Sequence, residues 1–318
     1  MANTEPIVFE SLAMERVWGG RRLESLYGRA LPAGVPIGES WEVVDREDAQ
    51  SVVHSGPLRG TTLHELWTTS RRAEIFGTAY ENHAAARFPI LIKLLDARER
   101  LSVQVHPPLH MSEALGGEPK TEMWYFADAL PGANIYAGLK RGVTREEFER
   151  LLREGRVEEA LHVIPVESGD SIFIPSGRLH AIGQGNVIVE VQQNSDTTYR
   201  VFDWNRSGLD GVPRKLHIEE SMVSIDFNDF EPIVNHVNDG VIAECPFFKV
   251  EKLPLSSPVP ASIDGKFSIV TVVSGGATCA GVSFKSGDFF LAPASLGGAA
   301  VEPAQPNTEI LRSTLPVG

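Results

Sequence analysis

The sequence predicts an all-β protein made of two barrels of one kind, with a few peripheral helices. Three observations lead there: strand-like runs recur along the chain, two segments carry helix-capping signals, and one stretch is echoed late in the sequence.

The strand runs are short, β-branched or alternating, and bounded by Gly, Pro, Asn and Asp. Residues 90–95, 101–106, 171–175 and 187–192 are the clearest. A helix is expected to begin near Thr62, where Thr62 and Glu65 have capping-box spacing. Another is expected near Thr144, where Thr144 and Glu147 repeat that spacing ahead of Phe148, Leu151 and Leu152. The charges of residues 146–156 read as the solvated face of that second helix.

In the echo, Gly169-Asp170, an apolar run and Pro175 lead to His180, while Gly287-Asp288, an apolar run and Pro293 lead to Gly298. Laid one on the other, His180 falls on Gly298. Taken as a repeat, the echo gives two barrels, of which only the first keeps its histidine. The pattern is interrupted between residues 230 and 240 by Pro232, Asn235, Asn238 and Asp239. Residues 1–235 are therefore expected to form the larger domain with helical insertions, and residues 236–318 a degenerate second domain without metal ligands.

Composition narrows the function. The 318 residues can bury a full core without disulfide staples, and the hydrophobic and charged shares, 42% and 22%, are ordinary for a globular chain. No segment approaches the roughly 18 apolar residues of a membrane span. The N-terminus has no basic stretch followed by an apolar one, so a cytoplasmic location is expected. Cys245 and Cys279 stand far apart and read as small buried hydrophobes, not as a disulfide or thiolate metal site. A formal net charge of −13 argues against nucleic-acid binding and requires any phosphate site to be a local positive pocket.

Within residues 101–106, alternation puts Leu101, Val103 and Val105 on one face and Ser102, Gln104 and His106 on the other. Gln and His two apart, followed by Pro107-Pro108, suggest two metal ligands at a barrel mouth. In the next run Lys120, Glu122, Trp124 and Phe126 share a face, so a carboxylate projects among bulky apolar groups and calls for a metal or cation. Lys93, inside an apolar strand, needs a partner if buried, and with Ser102 it makes a candidate contact for a substrate phosphate. Trp18, Trp41 and Trp124 are candidate pocket walls. His54, His64, His110, His162, His217 and His236 read as surface or packing residues.

The segment from Gly169 to His180, with Gly, then Pro-x-Gly, then His, resembles the second sequence motif of the cupins, which are jelly-roll barrels. The first motif departs from the usual His-x-His: here it is Gln104-x-His106, with Glu122 sixteen residues further on. With that departure the chain resembles the type I mannose-6-phosphate isomerases (phosphomannose isomerases) in their short bacterial form. The resemblance runs from Glu15-Arg-Val-Trp-Gly-Gly20 through Gly38-Glu-Ser-Trp-Glu42, Phe88-Pro-Ile-Leu-Ile-Lys93 and Lys120-Thr-Glu122 to the run from Gln192 to Asp203. It implies two cupin barrels and one zinc ion per chain, bound by Gln104, His106, Glu122 and His180. It also implies Arg200 as a catalytic residue, with Lys120 and Glu190 lining the pocket. The implied partner is a small sugar phosphate, with neither nucleic acid nor membrane involved, in a monomer or a homodimer. Two imidazoles, a carboxylate and an amide oxygen suit zinc. Aldose–ketose isomerisation needs a cation near the oxygens of an enediol, which Arg200 or zinc can provide, and a base, for which Glu190, Lys120 and a zinc-bound hydroxide are all open. A non-haem iron oxygenase would show two histidines and one carboxylate, and Gln104 counts against it. A non-catalytic sugar-binding cupin predicts a lost ligand, and none is lost in the first barrel.

Overall fold

Residues 90–97 read as an apolar run because the strand they form is buried on both faces; the computed structural model describes residues 5–317. Ile90, Ile92 and Leu94 enter the largest apolar cluster, while Leu95 enters another on the opposite face. This strand, Ile90–Ala97, sits inside a six-stranded antiparallel sheet. The spatial order there is Leu12–Gly20, Ile37–Val43, Ile90–Ala97, Asn186–Gln193, Glu122–Ala129, Ser171–Ile174. A five-stranded sheet faces it, in the order Tyr199–Phe202, Val103–Val105, His180–Ile182, Asn134–Leu139, Leu161–Pro165. Trp124, Phe126 and Ile188 from one sheet pack with Ile135, Ala137 and Ile182 from the other, which closes an apolar layer between them.

The C-terminal residues repeat the plan. One sheet runs Gly240–Glu244, Lys249–Leu255, Thr308–Thr314, Ser268–Ser274, Phe289–Ala292; its partner runs Val259–Pro260, Ala300–Pro303, Gly276–Cys279, Val282–Lys285. Apart from two strands at the edges of the first pair, Leu12–Gly20 and Tyr199–Phe202, every strand of one half has a counterpart in the other. The echo has a physical basis here. Asp170 accepts from the amide of Glu167 at 2.9 Å, and Asp288 from that of Lys285 at 2.8 Å. Gly169 and Gly287 both hold positive φ, 95° and 85°, in the same turn.

The two large sheets lie back to back. Ile92, Met123, Tyr125 and Val189 of the first pack with Val250, Ile269, Leu291 and Leu311 of the second in one continuous core. At the N-terminus Ile7 bridges to Leu291. The outer face of the five-stranded sheet is covered by Arg145–Arg153, through Phe148 and Leu151, and by Ile218–Ser224, through Met222. Both expected helix starts are present: Thr62 closes a full capping box with Glu65 ahead of Leu63–Thr68, and Thr144 accepts from the Glu147 amide. Cys279 is buried and Cys245 half-buried, and both are free. Among the described residues no helix is long and apolar enough to cross a membrane.

Candidate active site

Four residues singled out in the sequence meet at one end of the layer between the first two sheets. Gln104 pairs in register with His180 on the neighbouring strand, and Glu122 enters from the facing sheet. The ligand atoms of His106, Glu122 and His180 lie within 4.8 Å of one another, and all three residues are fully buried. Glu122 Oε2 is 3.6 Å from His106 Nε2, and Glu122 Oε1 is 3.5 Å from His180 Nε2. Gln104 Nε2 lies 3.3 Å from His180 Nε2, so a half-turn of the amide would bring Oε1 to the same place.

The tautomers follow from the second nitrogens. His106 Nδ1 is 2.8 Å from the Thr197 carbonyl and His180 Nδ1 is 2.8 Å from the Arg178 carbonyl, so each Nδ1–H donates outward. Each Nε2 therefore turns a lone pair inward, towards Glu122. Burial drives both imidazoles neutral: His106 falls below the ordinary histidine range and His180 falls to about 3, with the Glu122 charge opposing in both cases. His106 Nε2 and both Glu122 oxygens have no hydrogen-bond partner. Two imidazole lone pairs turned on a buried carboxylate fit a cation between them, and two imidazoles with a carboxylate and an amide form a donor set of borderline softness.

Above this floor opens a cavity of about 410 Å³. Trp18, Leu95, Leu101 and Ile182 give it an apolar wall; Arg16, Lys93, Lys120, Arg200 and Arg214 bring positive charge, and Glu39, Glu190 and Asp196 negative. Lys120 Nζ stands 2.9 Å from Glu122 Oε2, a close ion pair, and 3.8 Å from Glu190 Oε1. Glu190 Oε2 accepts from Trp124 Nε1 at 2.9 Å. Burial raises Glu190 above the ordinary carboxylate range against the pull of Lys120 and Lys93, with the Glu122 and Glu39 charges adding to the rise. Burial also works to raise Glu39, but Lys93, Arg16 and the Trp41 N–H overcome it and hold that carboxyl at about 2.

All nine site residues expected from the sequence lie at or beside this cavity. Lys93 is buried, and its compensation comes from within the protein: Glu190 at 3.6 Å, Glu39 at 3.9 Å and Asp196 at 3.9 Å. Ser102 lines the cavity wall. Arg200 pairs with neither Asp196 nor Asp203, the partners its neighbourhood in sequence offers. Its Nη1 donates to the Lys215 carbonyl at 2.9 Å, and its Nε is buried with no partner. Leu101 departs from the alternation, because the regular strand starts only at Val103; it joins Trp18 and Trp124 while Val103 and Val105 pack on the other side. Of the three tryptophans, Trp18 walls the cavity and Trp124 braces Glu190. Trp41 does not line the cavity, but its N–H donates to Glu39 and its ring centroid lies 4.9 Å from Lys93 Nζ. His217 accepts from the Arg200 amide at 3.2 Å. Sequence reasoning gave no role to Arg16, Glu39, Asp196, Thr198 or Arg214, which also line the cavity. A carboxylate inside the doubly buried strand Ile37–Val43 was a signal for Glu39; a loop arginine such as Arg214 carries none.

Comparison with known proteins follows the same lines. Residues 8–150 match the phosphomannose isomerase type I catalytic domain. Mannose-6-phosphate isomerase ManA of Bacillus subtilis is 37% identical over 310 residues, covering 92% of this chain and 95% of that protein. Mannose-6-phosphate isomerase of Streptococcus mutans is 36% identical, covering 85% of each. A crystal structure of the Bacillus subtilis mannose 6-phosphate isomerase superposes with a TM-score of 0.83 at 28% identity, covering 98% of this chain and 99% of that one.

Proposed function

This chain belongs to the type I phosphomannose isomerases, and from that premise we propose that it interconverts mannose 6-phosphate and fructose 6-phosphate with one zinc ion at Gln104, His106, Glu122 and His180. That it is an isomerase follows from its relatives; substrate, metal and residue roles are our reading of the site. The observation that carries it is the convergence of two neutral imidazoles and a fully buried carboxylate at the floor of a cationic cavity. A zinc ion held there would supply Lewis acidity next to the sugar's reacting oxygens.

The chain's own residues do the rest. Glu190 lines the cavity as a carboxylate raised towards working pH, which suits a base. It takes the proton from C2 of the open-chain aldose; the electron pair forms the C1–C2 double bond and negative charge moves onto O1. Returning the proton to C1, as O2 loses its own and O1 gains one, leaves the ketose. Arg200, whose backbone pairs with Gln104 and whose guanidinium has no carboxylate partner, faces the charge that develops on these oxygens. Lys120, paired to Glu122 and Glu190, keeps two carboxylates apart at the reacting end. The wall of Trp18, Leu95, Leu101 and Ile182 excludes water from the enediol.

The phosphate is received against Ser102 and Arg214. Lys93 stays committed to its three carboxylates, which would repel a dianion brought between them. The matched strand orders of the two sheet pairs support the cupin reading of both halves, with a boundary near residue 235. A cytoplasmic setting fits a sugar phosphate substrate.

The test is direct. Purified protein is supplied with mannose 6-phosphate and fructose 6-phosphate is read through a coupled dehydrogenase, before and after EDTA and again after zinc. Turnover that is lost with the chelator and restored by zinc is expected; turnover indifferent to EDTA sinks the metal assignment, and none on any aldose phosphate sinks the reading.

A further inference from the structure

Around the end of the strand Tyr199–Phe202, three arginines, Arg200, Arg206 and Arg214, gather near one buried carboxylate, Asp203. Arg214 grips Asp203 fork to fork, Nε to Oδ2 at 2.7 Å and Nη2 to Oδ1 at 2.6 Å. Arg206 meets the same carboxylate from another side, Nε at 3.0 Å and Nη2 at 2.9 Å from Oδ1. Burial and the charges of Arg214 and Arg206 disfavour the Arg200 cation, with Asp203 opposing, yet among the described residues it makes no salt bridge. Three guanidinium groups thus cluster near one buried anion, which pairs with two of them. Two of them, Arg200 and Arg214, line the cavity, whereas Asp203 and Arg206 stand behind it.

The backbone explains why a tie is needed. Trp204 and Asn205 both take left-handed φ, 57° and 55°, sending the chain out of the sheet, and a bridge between Ser207 and Pro213 folds it back. The tip is poorly packed, with Leu209 and Val212 55% and 57% exposed. Arg206 is on the outgoing limb and Arg214 on the returning one, so Asp203 at the base ties both.

We propose that Asp203 is a positioning residue for the isomerase: it clamps Arg214 at the cavity wall where the phosphate is received and, being saturated by Arg206 and Arg214, leaves the Arg200 guanidinium free for the reacting oxygens. This rests on the phosphate placement given above. Charge and geometry make opposite predictions for its removal. If only charge mattered, losing the anion would leave three cations and draw a phosphate more strongly. If the clamp matters, Arg206 and Arg214 repel one another, the loop opens and the phosphate loses its contact.

The experiment uses the full-length, metal-loaded enzyme, with mannose 6-phosphate as substrate and inorganic phosphate as competitive inhibitor. Asp203→Asn and Arg214→Ala are each expected to raise KM and weaken phosphate inhibition roughly tenfold or more, with metal content unchanged. Because one residue acts through the other, the double variant should be no worse than about threefold beyond either single. Asp203→Glu should recover most of the loss. A lower KM or tighter phosphate inhibition in Asp203→Asn overturns the proposal, as does an Asp203→Asn penalty that persists in full when Arg214 is already alanine. If Asp203→Asn does not fold, Arg214→Lys reads the same tie, since it keeps the charge and drops the fork. An unchanged KM there overturns the clamp, while an unchanged KM in Arg214→Ala overturns the phosphate placement itself.

Discussion

In the N-terminal half Lys93 and Glu190 face one another across neighbouring strands, in a row that continues through Trp124 to Ile172. The matching row of the C-terminal half is Glu251, Arg312, Val270 and Phe290, the same ion pair with its charges exchanged. The consequences differ. Arg312 gives both Nε and Nη2 to one Glu251 oxygen at 3.0 Å and Lys249 lies 3.6 Å from the other, so that carboxylate is balanced by its immediate neighbours. Lys93 instead stands between three carboxylates at 3.6 to 3.9 Å, and the chain of charge runs on through Lys120 to Glu122. At the position of Glu122 the second half has Ser268, whose hydroxyl is spent on the Ala261 carbonyl, and at the echoed position of His180 it has Gly298. Its interior is filled by Phe284 stacked on Phe290 at 4.1 Å. One scaffold thus serves two ends: a handful of side chains makes the first half a site, and their replacement by small or apolar groups makes the second half a packed support.

The largest effect should come from exchanging the echoed residues. His180→Gly is expected to lose bound metal and to lower kcat/KM by roughly a thousandfold or more. Gly298→His, where a side chain would meet open space, is expected to change neither. Metal per chain by mass spectrometry and the coupled assay read both. Metal loss in the second variant, or full activity in the first, would erase the distinction between the halves.

Next come two arginines that differ in having or lacking a carboxylate. Arg200→Ala is expected to lower kcat by about a hundredfold while KM moves much less, the mark of an interaction made mainly in the transition state. Arg312→Ala leaves half-buried Glu251 with only Lys249, 3.6 Å away, and should cost about 1–2 kcal/mol of stability, read as a lower Tm, with kcat within about twofold. A kcat effect from Arg312 would mean that the second half takes part in the chemistry.

The pH profile separates the halves more gently. The proposed base, Glu190, would act only when ionised, and burial raises its pKa, so kcat/KM should hold above that raised value and fall as pH drops through it. Lys93→Met removes an ammonium that favours the ionised form, so the acid limb should move to higher pH, by up to about one unit. A limb that stays in place excludes Glu190 as the group being read.

What could be seen in the sequence was local or strictly periodic. The caps at Thr62 and Thr144 depend on residues three apart, and Lys120, Glu122, Trp124 and Phe126 share a face because a strand repeats every two residues. Lys93 stood out as a charge in an apolar run, but its partners Glu39 and Asp196 are contributed by segments remote in sequence, and only the sheet brings them together. Leu101 escaped the alternation because the ladder begins two residues later. Arg214 reaches Asp203 across eleven residues of a loop whose exit needs left-handed backbone at Trp204 and Asn205, residues whose types do not announce it. The four convergent candidate ligands were reached through the family pattern; spacing alone does not reveal that strands so far apart in sequence share one end of a sandwich.

The smallest effect on catalysis should come from the joint between the halves, and it tests whether the second is only a support. Gly287, in the echoed turn, holds a φ of 85°, and a Cβ there would stand 2.4 Å from Tyr27 Cγ. Its carbonyl accepts from Arg29 Nη2 at 2.6 Å, and the same guanidinium is 3.1 Å from the buried Glu42 of the first half. Gly287→Ala therefore strains the backbone and pushes on the aromatic ring that seats one half on the other, at a cost of about 2–4 kcal/mol. Because the site's ligands come from the opposite side of the six-stranded sheet, a loosened joint should lower Tm by several degrees and leave kcat and KM within about twofold below the transition. If KM or bound metal changed while the protein remained folded, the back-to-back core would be transmitting strain from the second half into the site. The strand that could carry it is Ile90–Ala97, with Ile92 in the shared core and Lys93 in the cavity.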